Sequence, residues 1–218
     1  MEGHRTRQIV DFYKSQSKTY DDNNDFAYWR ILYSEYRNWL ERHLQNSVES
    51  IVELGCGTGI HARILEKYAK NFFGIDICSD LIKIASNRCK NGNFHPHITD
   101  IKNLPFKDNS FDAVICLNTF DHIFETENVI SEIQRICKPG GKFIFDISSS
   151  KNFDLSRFLG VYGKSGFISA IKSITEKKIE LEWSLKDDNK VSRKIQTIRY
   201  NPNYFDKILD NYDFEILE

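Results

Sequence analysis

Val52-Glu53-Leu54-Gly55-Cys56-Gly57-Thr58-Gly59 is the stretch that decides the fold of this chain. The apolar run Ile51 to Leu54 has the length of a buried strand, and apolar residues return at helical spacing from Ile60 to Lys70. Glycines at such a bend permit positive φ and let backbone N–H groups approach a ligand that a Cβ would hold off. A strand, a glycine turn and a helix in that order therefore predict a nucleotide-like ligand without naming it. A dinucleotide fingerprint reads G-x-G-x-x-G, and counted from Gly55 its third glycine falls on Ile60. That departure weighs against a nicotinamide-dependent oxidoreductase.

Outward from this turn, short apolar runs alternate with helical ones, the pattern of parallel strands joined by helical crossovers. Phe72 to Asp76 reads as a second strand, a helix opens at Ser79, and Asn93 to Ile98 makes a third strand. Phe111 to Leu117 reads as a fourth strand and Glu125 to Cys137 as a helix. Lys142 to Ile147 would be a fifth strand, entered by the turn Pro139-Gly140-Gly141. The first, fourth and fifth runs are nearly continuous in apolar residues, as strands covered on both faces should be.

Before the first strand, Phe26, Trp29, Leu32, Tyr36, Leu40 and Leu44 recur at helical spacing, which predicts an amphipathic helix over 25–45. After Ser148-Ser149-Ser150 the pattern changes. Ile179, Leu181, Trp183 and Leu185 alternate with polar residues, Asp187-Asp188-Asn189 offers a turn, and Val191 to Tyr200 is again strand-like. This predicts an antiparallel hairpin in a Lys- and Arg-rich cap inserted over 151–200. A helix at Asn203 to Asn211 and a strand-like Phe214 to Leu217 finish the chain. The expected organisation is one α/β domain: a helical lid (1–48), a core (49–150), the cap (151–200), and a last helix and strand (201–218).

A chain of 218 residues suits one sizeable core rather than two full domains. A net charge of -1 with 28% charged residues describes an ordinary soluble globule, not a bulk nucleic-acid binder. No run approaches the roughly 20 apolar residues of a membrane span, and the polar start carries no apolar signal core, so a cytoplasmic location is expected. Five scattered cysteines without C-x-x-C spacing predict small buried thiols, neither a disulfide framework nor a zinc site. His95-Pro96-His97 lacks a third ligand, and no metal is assigned.

The set of motifs resembles the class I S-adenosylmethionine-dependent methyltransferases, in the small-molecule branch of the methyltransferase type 11 kind. Glu53 to Gly59 is similar to the family's first motif, and Gly74-Ile75-Asp76 supplies the acid that ends its second strand. Thr99-Asp100-Ile101, Leu104-Pro105-Phe106, Ser110 to Val114 and Arg135 to Gly141 follow in the family's order. The resemblance, over about residues 50 to 150, implies a Rossmann-like, mostly parallel sheet flanked by helices. It also implies a cofactor site for S-adenosyl-L-methionine, whose product is S-adenosyl-L-homocysteine.

In that reading Asp76 accepts hydrogen bonds from the ribose hydroxyls, since an ionised carboxylate offers two oxygens and no competing donor. Asp100 and the backbone of Ile101 meet the adenine, with Ile77 and Leu104 as apolar walls. Gly55, Cys56, Gly57 and Gly59 pass beneath the methionine part, and Glu53 orients that turn or the amino group. Asn118 joins them from the segment after the fourth strand, and Tyr20 folds over the donor as a lid residue, with Tyr13 before it. His122 is the candidate general base, with Asp121 beside it, because a neutral imidazole takes a proton well at neutral pH.

Asn118-Thr119-Phe120-Asp121 lacks the prolines that amino-group methylation of bases uses at this place. Cys116 lies inside an apolar strand, which is no setting for a nucleophilic thiolate. A small-molecule acceptor is therefore expected and a nucleic acid is not, with O, N, C and S all open as the acceptor atom and the oligomeric state unspecified. A tRNA methyltransferase and a relative that binds the cofactor without turnover are the alternatives. The family's final strand has no residues left here, which predicts either a truncated form or direct pairing of a sixth strand with the fifth.

Overall fold

Successive side chains of each strand point to opposite faces of the sheet, and the two faces are covered by different helices. The computed structural model describes residues 2–23, 27–44, 48–147, 178–186, 192–212 and 214. The chain runs α1 (Glu2–Gln16), α2 (Tyr20–Asn23), α3 (Ala27–His43), β1 (Val48–Leu54), α4 (Ala62–Tyr68), β2 (Ala69–Asp76), α5 (Ser79–Arg88) and β3 (Phe94–Ile98). It continues through β4 (Phe111–Cys116), a 3₁₀ turn (Phe120–His122), α6 (Thr126–Ile136), β5 (Cys137–Phe145), β6 (Lys178–Lys186), β7 (Ser192–Tyr200) and α7 (Pro202–Asp210). Strands β1 to β5 form one parallel sheet in the order β3-β2-β1-β4-β5, with β1 at its centre. The order reverses beside β1, and the crevice at the carboxyl ends of β1 and β4 is where open α/β sheets bind ligands.

On one face, Val52, Leu54, Ile75, Val114 and Cys116 pack with α6 and α7; on the other, Ile51, Phe72, Ala113 and Ile115 pack with Leu40 of α3 and Leu65 of α4. Helix α6 shows how little sequence this takes. Val129, Ile130, Ile133 and Ile136 form one stripe and all are 0% exposed, so that truncating Ile133 to alanine would cost about 2–5 kcal/mol.

Three expectations shift at their edges. Helix α4 stops at Tyr68 and β2 begins at Ala69, several residues before the apolar run that announced it, because Ala69, Asn71 and their neighbours pair with β1 in register from Val48. Strand β5 starts at Cys137 rather than Lys142: Phe111 pairs with Cys137 and Ala113 with Lys142, so the residues between them, with Gly140 at φ +74°, bulge out of the ladder. The segment before residue 25, expected only as part of a helical lid and without element bounds, forms α1 and α2. The hairpin is present as β6 and β7, antiparallel from Lys178–Tyr200 to Lys186–Ser192. The rest of the cap over 151–177 and the strand-like end at Phe214 to Leu217, apart from Phe214, lie outside the described residues.

Candidate functional site

Positive φ is where the site begins. Gly55, Gly57 and Gly59 take φ of +70°, +53° and +72°, the left-handed region that a side chain resists. A Cβ on Gly55 would stand 2.2 Å from Thr119 Oγ1, so the glycine lets the turn after β1 press against the segment after β4. At Gly57 a Cβ would meet nothing within 4 Å, because that side of the turn faces open space.

That space is a cavity with about 840 Å³ of empty volume, its mouth included, within the range of small-molecule sites. Tyr20, Gly55, Gly57, Asp76, Ile77, Asp100, Ile101, Asn118 and His122 all line it, so the structure brings together nine of the expected site residues from five separate segments. Glu53, Cys56, Gly59 and Asp121 stand behind its wall. Gly59 allows the turn to approach Ala85 of α5, and Cys56 donates its amide to the Ile75 carbonyl at 2.9 Å.

Asp76 is the electrostatic centre of the cofactor half. Its Oδ2 accepts the Gly57 amide at 2.9 Å and its Oδ1 the Cys78 amide at 2.8 Å. Burial pushes this carboxyl above its ordinary value, and the same two amides oppose the shift. A carboxylate has about four acceptor sites, so one on each oxygen remains for a vicinal pair of hydroxyls. Asp100 accepts the Lys102 amide at 3.0 Å, and the Lys102 ammonium lies 3.5 Å from Asp100 and 3.6 Å from Glu125 across the mouth. Leu104, expected as an apolar wall, is buried in the core beneath this rim. Arg135 holds the rim from below with all five guanidinium hydrogens: to Glu132, Asp108 and the carbonyls of Leu104 and Phe106.

At the acceptor end, the Tyr13 hydroxyl of α1 lies 2.6 Å from His122 Nε2. Burial raises the Tyr13 phenol well above its ordinary value, so it stays protonated. Thr6 and Ile9 of α1 with Ile123 and Val129 make the apolar rest of this half. Helix α2 is latched to the glycine turn, where Thr58 donates to Asp21 at 2.7 Å and Arg88 pairs with the same carboxylate. Thr6, Ile9 and Tyr13 of α1 and Tyr20 of α2 line the cavity.

Sequence reading passed over a buried polar layer behind the glycine turn. Glu53 Oε1 lies 2.7 Å from His61 Nδ1, both residues are under 7% exposed, and Glu53 Oε2 and His61 Nε2 have no partner among the described residues. The His61 ring packs edge-on against both Tyr33 and Tyr36. Tyr36 donates to Asp146 at 2.5 Å, and the other Asp146 oxygen accepts the Asn118 amide at 2.6 Å, which helps Asn118 hold its φ of +52°. The one available signal was Tyr36 on the inner stripe of α3. The cysteines are as expected: burial raises the Cys56 and Cys116 thiols well above their ordinary value, which leaves them unreactive.

Residues 52–145 match the family described as Methyltransferase domain. The uncharacterized protein MJ1252 of Methanocaldococcus jannaschii is 26% identical over 216 residues, covering 98% of this chain and 79% of that one. Demethylmenaquinone methyltransferase of Thermotoga maritima is 34% identical over 107 residues, 48% of this chain and 46% of its own, so the match spans about half of that relative. Among solved structures, the DhpI-SAM-HEP complex superposes with a TM-score of 0.69 at 17% identity over 95% of this chain and 88% of the other. A S-adenosylmethionine-dependent methyltransferase from Clostridium acetobutylicum gives 0.61 at 19% identity, over 85% and 80%. These two likenesses concern the fold. Residues 52–145 thus carry the sequence of a methyltransferase domain, on a fold shared with S-adenosylmethionine-dependent methyltransferases.

The cofactor of that family is S-adenosylmethionine, and the residues present fit it. The glycine turn leaves room at Gly57 that a side chain would fill, Asp76 keeps an acceptor site on each oxygen, and Ile77 and Ile101 line the part of the wall expected for the base.

Proposed function

We propose that this protein transfers a methyl group to a small-molecule acceptor, with His122 as the general base. The observation that carries the reading is the Tyr13–His122 hydrogen bond, 2.6 Å long, inside the same cavity as Gly57 and Asp76. S-adenosylmethionine supplies, when bound, an electrophilic methyl on a sulfonium, a leaving group that needs no acid from the protein. The protein's own contribution is to orient and to exclude water. Asp76 and the glycine turn fix the donor half, with Asp100, Ile101 and Asn118 on its walls. His122 Nε2 takes the proton that the acceptor releases, relayed through the Tyr13 hydroxyl, which gives its own proton to the ring as it accepts the one from the acceptor. Asp121 adds negative charge near this pair, acting on the Tyr13 phenol.

The apolar lining from Ile9, Ile123 and Val129 suits a compact acceptor. No helix among the described residues is long and apolar enough to cross a membrane, in keeping with work on a dissolved metabolite in the cytoplasm. A second reading, transfer to tRNA, draws on the relative named Probable tRNA methyltransferase 9B of Bos taurus, 29% identical over 143 residues. One experiment separates these and the cofactor-binding relative without turnover: release of S-adenosylhomocysteine is followed across a metabolite panel and bulk tRNA. Turnover on a metabolite that His122→Ala abolishes is the expected result. Turnover on tRNA alone, or tight binding with no turnover on any acceptor, would overturn it.

A further inference from the structure

We infer that Tyr200, the last residue of the cap strand β7, is a positioning residue that holds His122 in place, an inference that rests on the role of His122 above. The 3₁₀ turn Phe120–His122 is three residues long, closed by the His122 amide on the Thr119 carbonyl and the Ile123 amide on the Phe120 carbonyl, each at 3.0 Å. So short a turn does not hold its own geometry. Its flanking carbonyls receive a buried phenol from outside the turn. The Tyr200 hydroxyl lies 2.6 Å from the Ile123 carbonyl, 3.3 Å from the Phe120 carbonyl and 2.9 Å from Thr126 Oγ1. Its one proton goes to the Ile123 carbonyl, the nearest acceptor, and its oxygen accepts the Thr126 hydroxyl.

These partners bracket the base. Phe120 and Ile123 flank His122 in the chain, and Thr126 opens α6. Tyr200 is 0% exposed, with its ring edge-on to Phe205 at 5.3 Å, so the phenol cannot swing away without opening the core. Burial also keeps it protonated, and therefore a donor, far above neutral pH. Strand β7 packs on α1 as well as on the turn. The same strand therefore supports both sides of the Tyr13–His122 hydrogen bond, and a bond of 2.6 Å tolerates little drift in either. A tyrosine that only filled the core would need its ring; this one places its hydroxyl on the turn that bears the base.

The test compares Tyr200→Phe, which keeps the ring, with Ile133→Val in α6, which loosens the same core and keeps the hydroxyl. The readout is the ring ¹⁵N spectrum of His122 in protein saturated with S-adenosylhomocysteine, assigned by the signal lost in His122→Gln. Turnover on the acceptor found in the panel is measured beside it. In Tyr200→Phe the His122 signals should shift or broaden, and kcat should fall about tenfold with the KM for S-adenosylmethionine unchanged. Ile133→Val should melt earlier with the His122 signals and kcat in place. Thr126→Ala, which removes one arm of the clamp, should give a smaller effect of the same kind and serves if Tyr200→Phe does not fold. Unmoved His122 signals in Tyr200→Phe, or in Thr126→Ala where that variant stands in, would overturn the inference. So would equal changes in Ile133→Val. Full turnover in His122→Ala would instead overturn the role of His122, while the spectrum would still report on the clamp.

Discussion

Replacing Asp76 separates two jobs that one carboxylate performs. Each oxygen already accepts a backbone amide, from Gly57 at 2.9 Å and Cys78 at 2.8 Å, and each keeps one acceptor site for a ribose hydroxyl. Hydrogen bonds to a charged group are worth about 1.5–3 kcal/mol apiece. The buried carboxylate also carries a desolvation cost, visible as its raised pKa, which an alanine no longer bears. The two effects leave Asp76→Ala about 1.5–3 kcal/mol weaker for S-adenosylhomocysteine, roughly ten- to 150-fold in Kd. Asp76→Asn is the sharper variant. Its remaining oxygen serves one amide and one hydroxyl, while its NH₂ group faces the other amide donor to donor, so the loop at Gly57 or Cys78 must shift. Titration calorimetry at neutral pH measures both variants, and the melting temperature shows that they are folded. Unchanged affinity in Asp76→Ala would refute the ribose assignment. Affinity in Asp76→Asn equal to the wild type would refute the double role.

Five further outcomes are expected. Affinity for S-adenosylhomocysteine should weaken as pH falls toward the raised pKa of Asp76, since protonation removes its acceptor capacity, and calorimetry should show less of this slope in Asp76→Ala. His122→Ala should lower kcat by about 10²- to 10⁴-fold with cofactor binding intact, the usual worth of a positioned base; stopped assays on the panel acceptor measure it. Arg135→Lys cannot reproduce five planar donors and should lose about 1–3 kcal/mol of stability by urea unfolding. Glu132, held below its ordinary value of 4.5 by Arg135, contributes stability that is complete above that value and is lost as pH falls through the lowered one; the acid melting curve of Glu132→Gln should be shallower there. Among the cap residues, the amides of β6 should exchange with solvent faster than those of β1, and protection should rise toward Ile198 and Tyr200, which are buried. Exchange in β6 as slow as in β1 would show the hairpin to be part of the rigid core.

The core was legible because its signals are local. Continuous apolar runs marked β1 and β4, a stripe of four residues marked α6, and glycines at positive φ marked the turn. Asp76 was placed by the resemblance, as the acid that ends the second strand. What escaped was built by contacts distant in sequence: Tyr13 meets His122 across 109 positions and Tyr36 meets Asp146 across 110. His61 looked like an ordinary helix-start residue, and only the packing of α3 and α4 on β1 buries it against Glu53. The start of β5 was misjudged because Pro139-Gly140-Gly141 signals a turn correctly, while the ladder resumes on both sides of it.

The contact between Gly55 and Thr119 bears on how such a protein can change its substrate over evolutionary time. Position 55 admits nothing beyond hydrogen both because of its φ of +70° and because residue 119 already fills the space, and Thr119 is itself pinned through its hydroxyl to the carbonyls of Leu117 and Leu54. A lineage that exchanged Thr119 for a bulkier residue would deform the donor loop at the same stroke, and one that shrank it would open a hole beneath that loop. Innovation in the acceptor pocket is thereby channelled to positions of α1 and of the segment after the 3₁₀ turn that face it, such as Thr6, Ile9 and Ile123, while residue 119 stays tied to the half of the molecule that must not change.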